Sequence, residues 1–564
     1  MKNYLITLIN EQLFSIFKPF ISFIVRVYSP SIYISGMLIT PQQFAIRLMI
    51  TILIAIAISS ISIFLAPSFP LAFIGIISIS IPIIYSIIPF LEINRRRINC
   101  ERELPFVTTF LTIASASSLS LSSAILNLSK IHHLKAFAKE AMRIEKVRRL
   151  YAISPSDAVI FEAKNHPSES VKSILLTAMM AQKLGESQFL IMRDEMIKAF
   201  TILLSKLKVL SDKFSLLASA QMIIFIIIPM AMITIGVMFS GILTPLSLFF
   251  ICIILPSIFV PLMSYLIDSY YPKELTEPVN LMPFLASLFF APLTIIAYKL
   301  FYINSNSLIS FHNILSLIII IFTIPSAIWY SLKRRETRQV LEALPIFTRS
   351  MAEEVKKGLS PSQALQLLSK SFNLTFNKIL INIVAHVRSG ARIGEATSTI
   401  KMPWIAHVYF ELLDYAEQVG ADPKSMNALS ELVNNIHTSM KSLHSQTSLF
   451  KASCIINSII LPFSIAMVIE VVVKLFANVS KMLISIPLPM GLSLLTLDLL
   501  SLVELIAYSG VILNAYFLGI LGGKVSGGGS IVDGLSMALL CIILAEFTLI
   551  LLVDFGTIAS LFDW

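Results

Sequence analysis

Two stretches of this chain read as copies of one another. Leu104-Pro105-Phe106-Val107, followed by Ser118-Leu119-Ser120-Leu121-Ser122-Ser123-Ala124-Ile125, is echoed by Leu344-Pro345-Ile346-Phe347, followed by Gly358-Leu359-Ser360-Pro361-Ser362-Gln363-Ala364-Leu365. Leu104/Leu344, Pro105/Pro345, Leu119/Leu359, Ser120/Ser360, Ser122/Ser362 and Ala124/Ala364 match at one constant offset without a gap, so one fold unit is used twice. Each copy is a polar segment entered through a basic run, Arg95-Arg96-Arg97 or Lys333-Arg334-Arg335, directly after an apolar stretch long enough to cross a bilayer. Each also ends in such a stretch. The plan is membrane, soluble domain, membrane, soluble domain, membrane.

Composition agrees. Apolar residues make up 56% of the chain and charged ones only 13%, whereas a soluble domain carries roughly a quarter charged residues. The net charge of +10 does not point to nucleic acid, because the basic residues gather at the ends of apolar segments and on the two polar domains, as topology control requires. Cys100, Cys252, Cys454 and Cys541 stand far apart with no CxxC pair, which predicts neither a disulfide framework nor a metal site.

Taken in order, residues 1–40 are apolar but broken by Glu11, Lys18, Pro19, Arg26 and Pro30, and read as an interfacial segment. Residues 41–92 read as a hairpin of two spans, 93–214 as a first helical domain, and 215–332 as spans three to six. Residues 333–448 are the second domain, and 449–564 hold spans seven to nine with an external C-terminus. Basic residues outnumber acidic ones in both domains, which places them and the N-terminus in the cytoplasm. Apolar spacing inside the domains is helical, as in Ile174, Leu175, Ala178, Met179 and Ala181. Helix starts are signalled by Ser154-Pro155, His166-Pro167-Ser168-Glu169, Ser360-Pro361 and Asp422-Pro423, and a helix end by Gly420. The expected fold is an all-α polytopic membrane protein, with about nine transmembrane helices by span length and two duplicated cytoplasmic helical bundles of about six short helices each. The glycine run Gly522 to Gly529 reads as a flexible cytoplasmic turn between spans eight and nine.

Two such domains, each opening with Leu-Pro (Leu104-Pro105, Leu344-Pro345) and a Gly/Ser-Leu-Ser turn and closing near a glycine (Gly185, Gly420), resemble a known family. The chain is similar to archaeal platform proteins of type IV filament machines, the type II secretion F-domain family that serves pili and the archaellum. Ala391-Arg392-Ile393-Gly394-Glu395-Ala396 also fits that pattern, whereas Ser118 departs from it where the second copy has Gly358. The resemblance implies a non-enzymatic scaffold. A hexameric secretion ATPase docks on the cytoplasmic domains, and conformational work passes through the spans to pilin subunits in the membrane. It leaves room for a homodimer or small homo-oligomer and implies no cofactor.

Chemistry-bearing residues are few. Gly519-Ile520-Leu521-Gly522-Gly523-Lys524-Val525 approaches a phosphate loop, but its spacing is one short and Val525 replaces the hydroxyl that would ligand magnesium, so energy must come from a partner. His132 and His133 are adjacent, point to different helix faces, and read as surface residues. Glu470, Glu504 and Glu546 fall inside spans seven to nine, where a charge costs about 2.5–3.5 kcal/mol or more, and must face the protein interior or be protonated. They motivate the competing reading, a secondary transporter or channel. The triplets Arg95–Arg97 and Lys333–Arg335 read as solvated topology anchors. Arg148, Arg149, Lys356 and Lys357 lie deeper in the domains and are the candidates for docking an acidic ATPase surface.

Overall fold

The computed structural model describes residues 2–37, 39–65, 69–117, 119–184, 187–238, 250–270, 311–420, 422–469, 497–527 and 530–554. Spans five and part of seven, Gly185, Ser118 and Glu470 lie outside them. Among the described residues every regular element is a helix, and six helices are long and apolar enough to cross a membrane: Gln188–Thr234, Cys252–Tyr270, His312–Lys356, Pro423–Met467, Glu504–Gly527 and Ile531–Val553. Pro41–Ala57 is a shorter apolar helix. The chain divides into two compact units, Met1–Ala199 with Gln418–Ala428, and Phe200–Glu417 with Leu429–Trp564.

The first unit begins with α1 (Lys2–Ser35), one helix that carries Pro19 and Pro30 in its interior. It packs on α2 (Pro41–Leu65) and α3 (Phe69–Ala116) through Ile21, Ile24 and Ile32 against Phe44, Ala45, Leu48 and Met49. The polar domain follows as α4 (Leu121–Asn127), α5 (Lys135–Tyr151), α6 (Pro155–Lys164), α7 (Glu169–Leu184) and the start of α8 (Gln188–Met222). Ser154 caps α6, its hydroxyl accepting from the Asp157 N–H, and Ser168 does the same for Val171 at the start of α7.

The second unit holds the rest of α8, α9 (Ile228–Met238), α10 (Leu255–Tyr270), α11 (Phe311–Lys356), α12 (Pro361–Leu368), α13 (Leu374–Arg388), α14 (Ile393–Ser398), α15 (Trp404–Gln418), most of α16 (Pro423–Met467), α17 (Leu497–Gly527) and α18 (Leu535–Leu549). The core of its polar part is aromatic: Phe347 meets Phe372, Phe376, Tyr409 and Phe410 with ring centroids 5.4–6.1 Å apart, mostly edge to face.

Helices do not stop where the membrane should. α3 and α11 each run for more than forty residues from an apolar stretch into a polar domain, and α16 runs from polar to apolar. Pro105 and Pro345, at the head of each repeated segment, lie inside these continuous helices. Each ring removes one ladder hydrogen bond. Thr108 and Thr109 return hydroxyl bonds to the Pro105 carbonyl, and Thr348 to that of Leu344.

The Gly522-to-Gly529 segment also differs from the flexible turn expected of it. α17 stays helical to Gly527, and its glycines are contact points. A Cβ on Gly519 would collide with the Ala538 backbone, and one on Gly523 with the backbone of Gly534. Small residues four apart on two facing helices let the backbones touch, the packing favoured where no water drives association.

Candidate functional site

In the second unit, the polar groups near one end of the apolar helices form a layer around α17. Lys524 is 1% exposed, and its ammonium donates to the Ser264 hydroxyl (2.6 Å) and carbonyl (2.9 Å) and pairs with Asp268 (2.8 Å), all on α10. Arg334 of α11 donates to the Ser526 carbonyl, one of the last on α17 that no helical N–H satisfies. Tyr330 and Ala327, one and two turns before Arg334, pack on Val532 and Leu535. The Lys213 ammonium lies 4.5 Å from the centre of the Tyr270 ring. Deeper in the apolar part, the Asn514 amide donates at 3.3 Å to the Cys252 carbonyl in the π-turn Phe250–Ile254. Gln221 meets Cys454 at 3.4 Å, and Gly522 leaves room for that same cysteine. α17 is thus pinned to α10 and α11 by polar contacts and to α16 by close approach, while α8 reaches α16 through Gln221 and α10 through Lys213. Arg334 is no solvated anchor, contrary to the expectation for its triplet.

In the first unit the same correction applies more strongly to Arg96, which is 8% exposed. Its guanidinium forms a fork on Glu140 (2.8 and 2.5 Å), reaches Glu162 (3.0 Å), and donates to the Ile34 carbonyl (2.6 Å) at the end of α1. Arg143 donates to the Gly36 carbonyl at 2.7 Å. Gly36 has φ +70°, and a Cβ there would occupy the place of the Arg143 guanidinium. Two arginines therefore cap the last turn of α1 and bind it to the domain. Neither sequence pattern nor hydropathy announces this. The only hint is a glycine one residue past an apolar helix.

One buried group of metal-ligating types occurs among the described residues: Cys100, Glu140 and His166, with ligand atoms within 4.8 Å of one another. Glu140 is already held by Arg96, and His166 Nδ1 accepts the Ser168 N–H at 3.1 Å. Burial pushes the Cys100 thiol well up and the His166 imidazole down to about 4, and a cation would sit beside the Arg96 and Arg143 guanidiniums. The group is the lining of the ion network, not a ligand set. Nearby, Glu103 accepts the N–H groups of Ala136 and Phe137, both at 2.9 Å, and so caps α5 from another helix. Burial still pushes its carboxyl up to about 7.

The duplicated serines serve both domains in the same way. Ser120 caps α4 and Ser360 caps α12, the latter in a full capping box with Gln363. Two residues on, Ser122 is held by Gln182 of α7 (2.9 and 3.2 Å), and Ser362 by Glu417 of α15 (3.2 and 2.8 Å). Ala124 and Ala364 are fully buried, as are Leu104 and Leu344 nearly so. Gly358 (φ +96°) ends α11 and Gly420 (φ +113°) follows α15.

The docking candidates are more neutralised than the sequence suggests. Arg148 and Arg149 both pair with Glu145, at 2.7 and 2.6 Å, and hold its carboxyl down at about 2. Lys357 pairs with Glu354 at 2.6 Å, while Lys356 is exposed at the end of α11. Glu504 on α17 and Glu546 on α18 are both half-buried.

No curated protein and no solved structure matches the chain. A family model described as type II secretion system (T2SS), protein F matches residues 347–469, from the Phe347 core through the apolar part of α16. Those residues are similar to the type II secretion F-type domain.

Proposed function

We propose that this chain is a membrane platform for assembling a type IV pilus-like filament of the archaeal kind, coupling a cytoplasmic secretion ATPase to insertion of pilin subunits. The observation that carries it is the F-type match on residues 347–469, in a chain with six helices fit to cross a membrane. The first polar domain is a second copy of the matched one. In support, both follow the order long, short, medium, short, medium, long helix, and both tether the second serine of the repeated motif to the penultimate helix. Both domains and the N-terminus face the cytoplasm, the chain itself is not an enzyme, and about nine spans by length thread the membrane. Arg148, Arg149, Lys356 and Lys357 remain the docking candidates. Lys356 and Lys357 fit best, because Lys356 ends the helix 23 residues beyond Lys333, roughly 35 Å at 1.5 Å per residue, and Lys357 follows it directly.

Mild-detergent purification of the tagged chain from its host tests this reading. A secretion ATPase and small pilins should come down with it. A chain that came down alone and moved ions in liposomes, with flux lost on Glu470→Gln, Glu504→Gln or Glu546→Gln, would favour the transporter reading instead.

A further inference from the structure

The end of α5 is an exposed apolar and aromatic edge. Leu150 is 69% and Tyr151 64% exposed, Phe161 of α6 lies 5.6 Å from the Tyr151 ring, and Tyr33 of α1, 49% exposed, lies within electrostatic reach of Glu162 and Tyr151. Arg149 stands at its border, with most of its side chain in the open despite its bond to Glu145. Neighbouring exposed apolar and aromatic side chains of this kind are where a contact surface is looked for.

The height of this edge along the first unit can be read from α3. Phe90 and Leu91 are exposed apolar residues, the last before the polar run that begins at Glu92. Arg96, five residues on, is about 7–8 Å further along the helix, and it contacts both Glu162 and the end of α1 beside Tyr33. At the other side of the same level, Ile32 packs on Phe44 and Ala45 in the first turns of apolar α2. The headgroup layer on each side of a bilayer is about 5–7 Å thick. Counted from Leu91, Arg96 stands at the outer border of that layer, and the edge it reaches through Glu162 lies at the same border.

We infer that Tyr33, Leu150, Tyr151 and Phe161 rest in the phospholipid headgroup layer, with Arg149 on a lipid phosphate. Aromatic rings with a polar tip belong at that depth, and an exposed guanidinium there meets phosphodiester oxygens in fork geometry. The first domain then lies against the membrane through α5 and α6 rather than standing on its connecting helices alone. Arg149, and with it Arg148, turns toward lipid instead of a soluble ATPase, which leaves Lys356 and Lys357 as the docking pair. The inference rests on the reading that α2 and α3 cross the membrane.

Spin labels test it in the full chain. All four native cysteines are buried, so single Leu150→Cys and Tyr151→Cys variants can be labelled in phosphatidylcholine/phosphatidylglycerol vesicles, with the unsubstituted chain as background. Leu91→Cys reports the hydrocarbon. Ser123→Cys reports water, since α3 ends at Ala116, roughly 30 Å beyond Arg96. Labels at 150 and 151 should show an oxygen-to-nickel-chelate accessibility ratio several-fold above Ser123→Cys and below Leu91→Cys. Adding Arg149→Glu should lower that ratio at 151. A label at 151 as water-exposed as Ser123→Cys, with Leu91→Cys in hydrocarbon, would overturn the inference alone. Leu91→Cys in water would overturn the span reading and this inference with it. No response to Arg149→Glu would remove the phosphate contact.

Discussion

Gly36 shows how much one missing Cβ can hold. Its left-handed backbone and the Arg143 guanidinium in the place of its side chain make Gly36→Ala costly twice over, about 1–2 kcal/mol from the backbone and the Arg143 contact besides. Faster hydrogen exchange at the α1 end and in α5, with α12 to α15 unchanged, is the expected readout. Arg96→Met should be worse, about 3–5 kcal/mol, because it leaves Glu140 and Glu162 buried without their cation. Two titrations in the same domain oppose each other. Glu103 has a folded value near 7 against 4.5, so the folded chain keeps a proton that the unfolded one gives up, and its contribution to stability is lost as pH rises through that window. His166, lowered from 6.5 to about 4, contributes stability that is lost as pH falls through that window. Glu103→Gln should therefore unmask a loss of α5 protection in acid, and His166→Gln a loss toward neutral pH, read by exchange from pH 4 to 8. Arg96 was legible only as a basic residue after an apolar run. Its partners lie 44 and 66 residues away, so no local pattern could distinguish it from Arg95 or Arg97.

Among the helices, the α17/α18 hairpin depends most on what its residues lack. Gly523→Leu should force the backbones apart at Gly534 and cut the yield of folded protein in detergent, whereas the same change at Gly358, whose Cβ position is open, should act through backbone strain alone. Lys524→Met should be tolerated better than Lys524→Ala, because the long apolar side chain fills the space while Asp268 is half exposed and can find water. Thermal melting of the purified chain ranks the two. The caps were readable: Ser154-Pro155, Ser360-Pro361 and Asp422-Pro423 all stand at helix starts, since a cap is a contact between residues two or three apart. The glycine run was not. Glycine is a poor helix former in water, and only a close neighbouring helix turns that weakness into a fit.

Across the molecule, continuous helices such as α3, α11 and α16 join apolar stretches to polar domains, and under the proposed function they are the elements that would carry a push from a cytoplasmic partner into the membrane. Reversing charge at Lys356 and Lys357 together should abolish recovery of the ATPase with the tagged chain while leaving its membrane insertion intact. Equal recovery would move the docking face elsewhere.

The linear pattern of residues was enough to announce helices, apolar stretches of spanning length, the repeated serine motif and its caps, because each arises from hydropathy or from neighbours a few positions apart. Packing in three dimensions was needed for the rest. It took Lys524 out of a suspected turn and set it against Ser264 and Asp268, 260 residues away from the former. It buried Arg96 between two glutamates and the end of α1, and it gathered Tyr33, Tyr151 and Phe161 on one edge. A buried charge is tolerable only where distant chain segments bring its partners, and distance along the chain erases that information from the sequence.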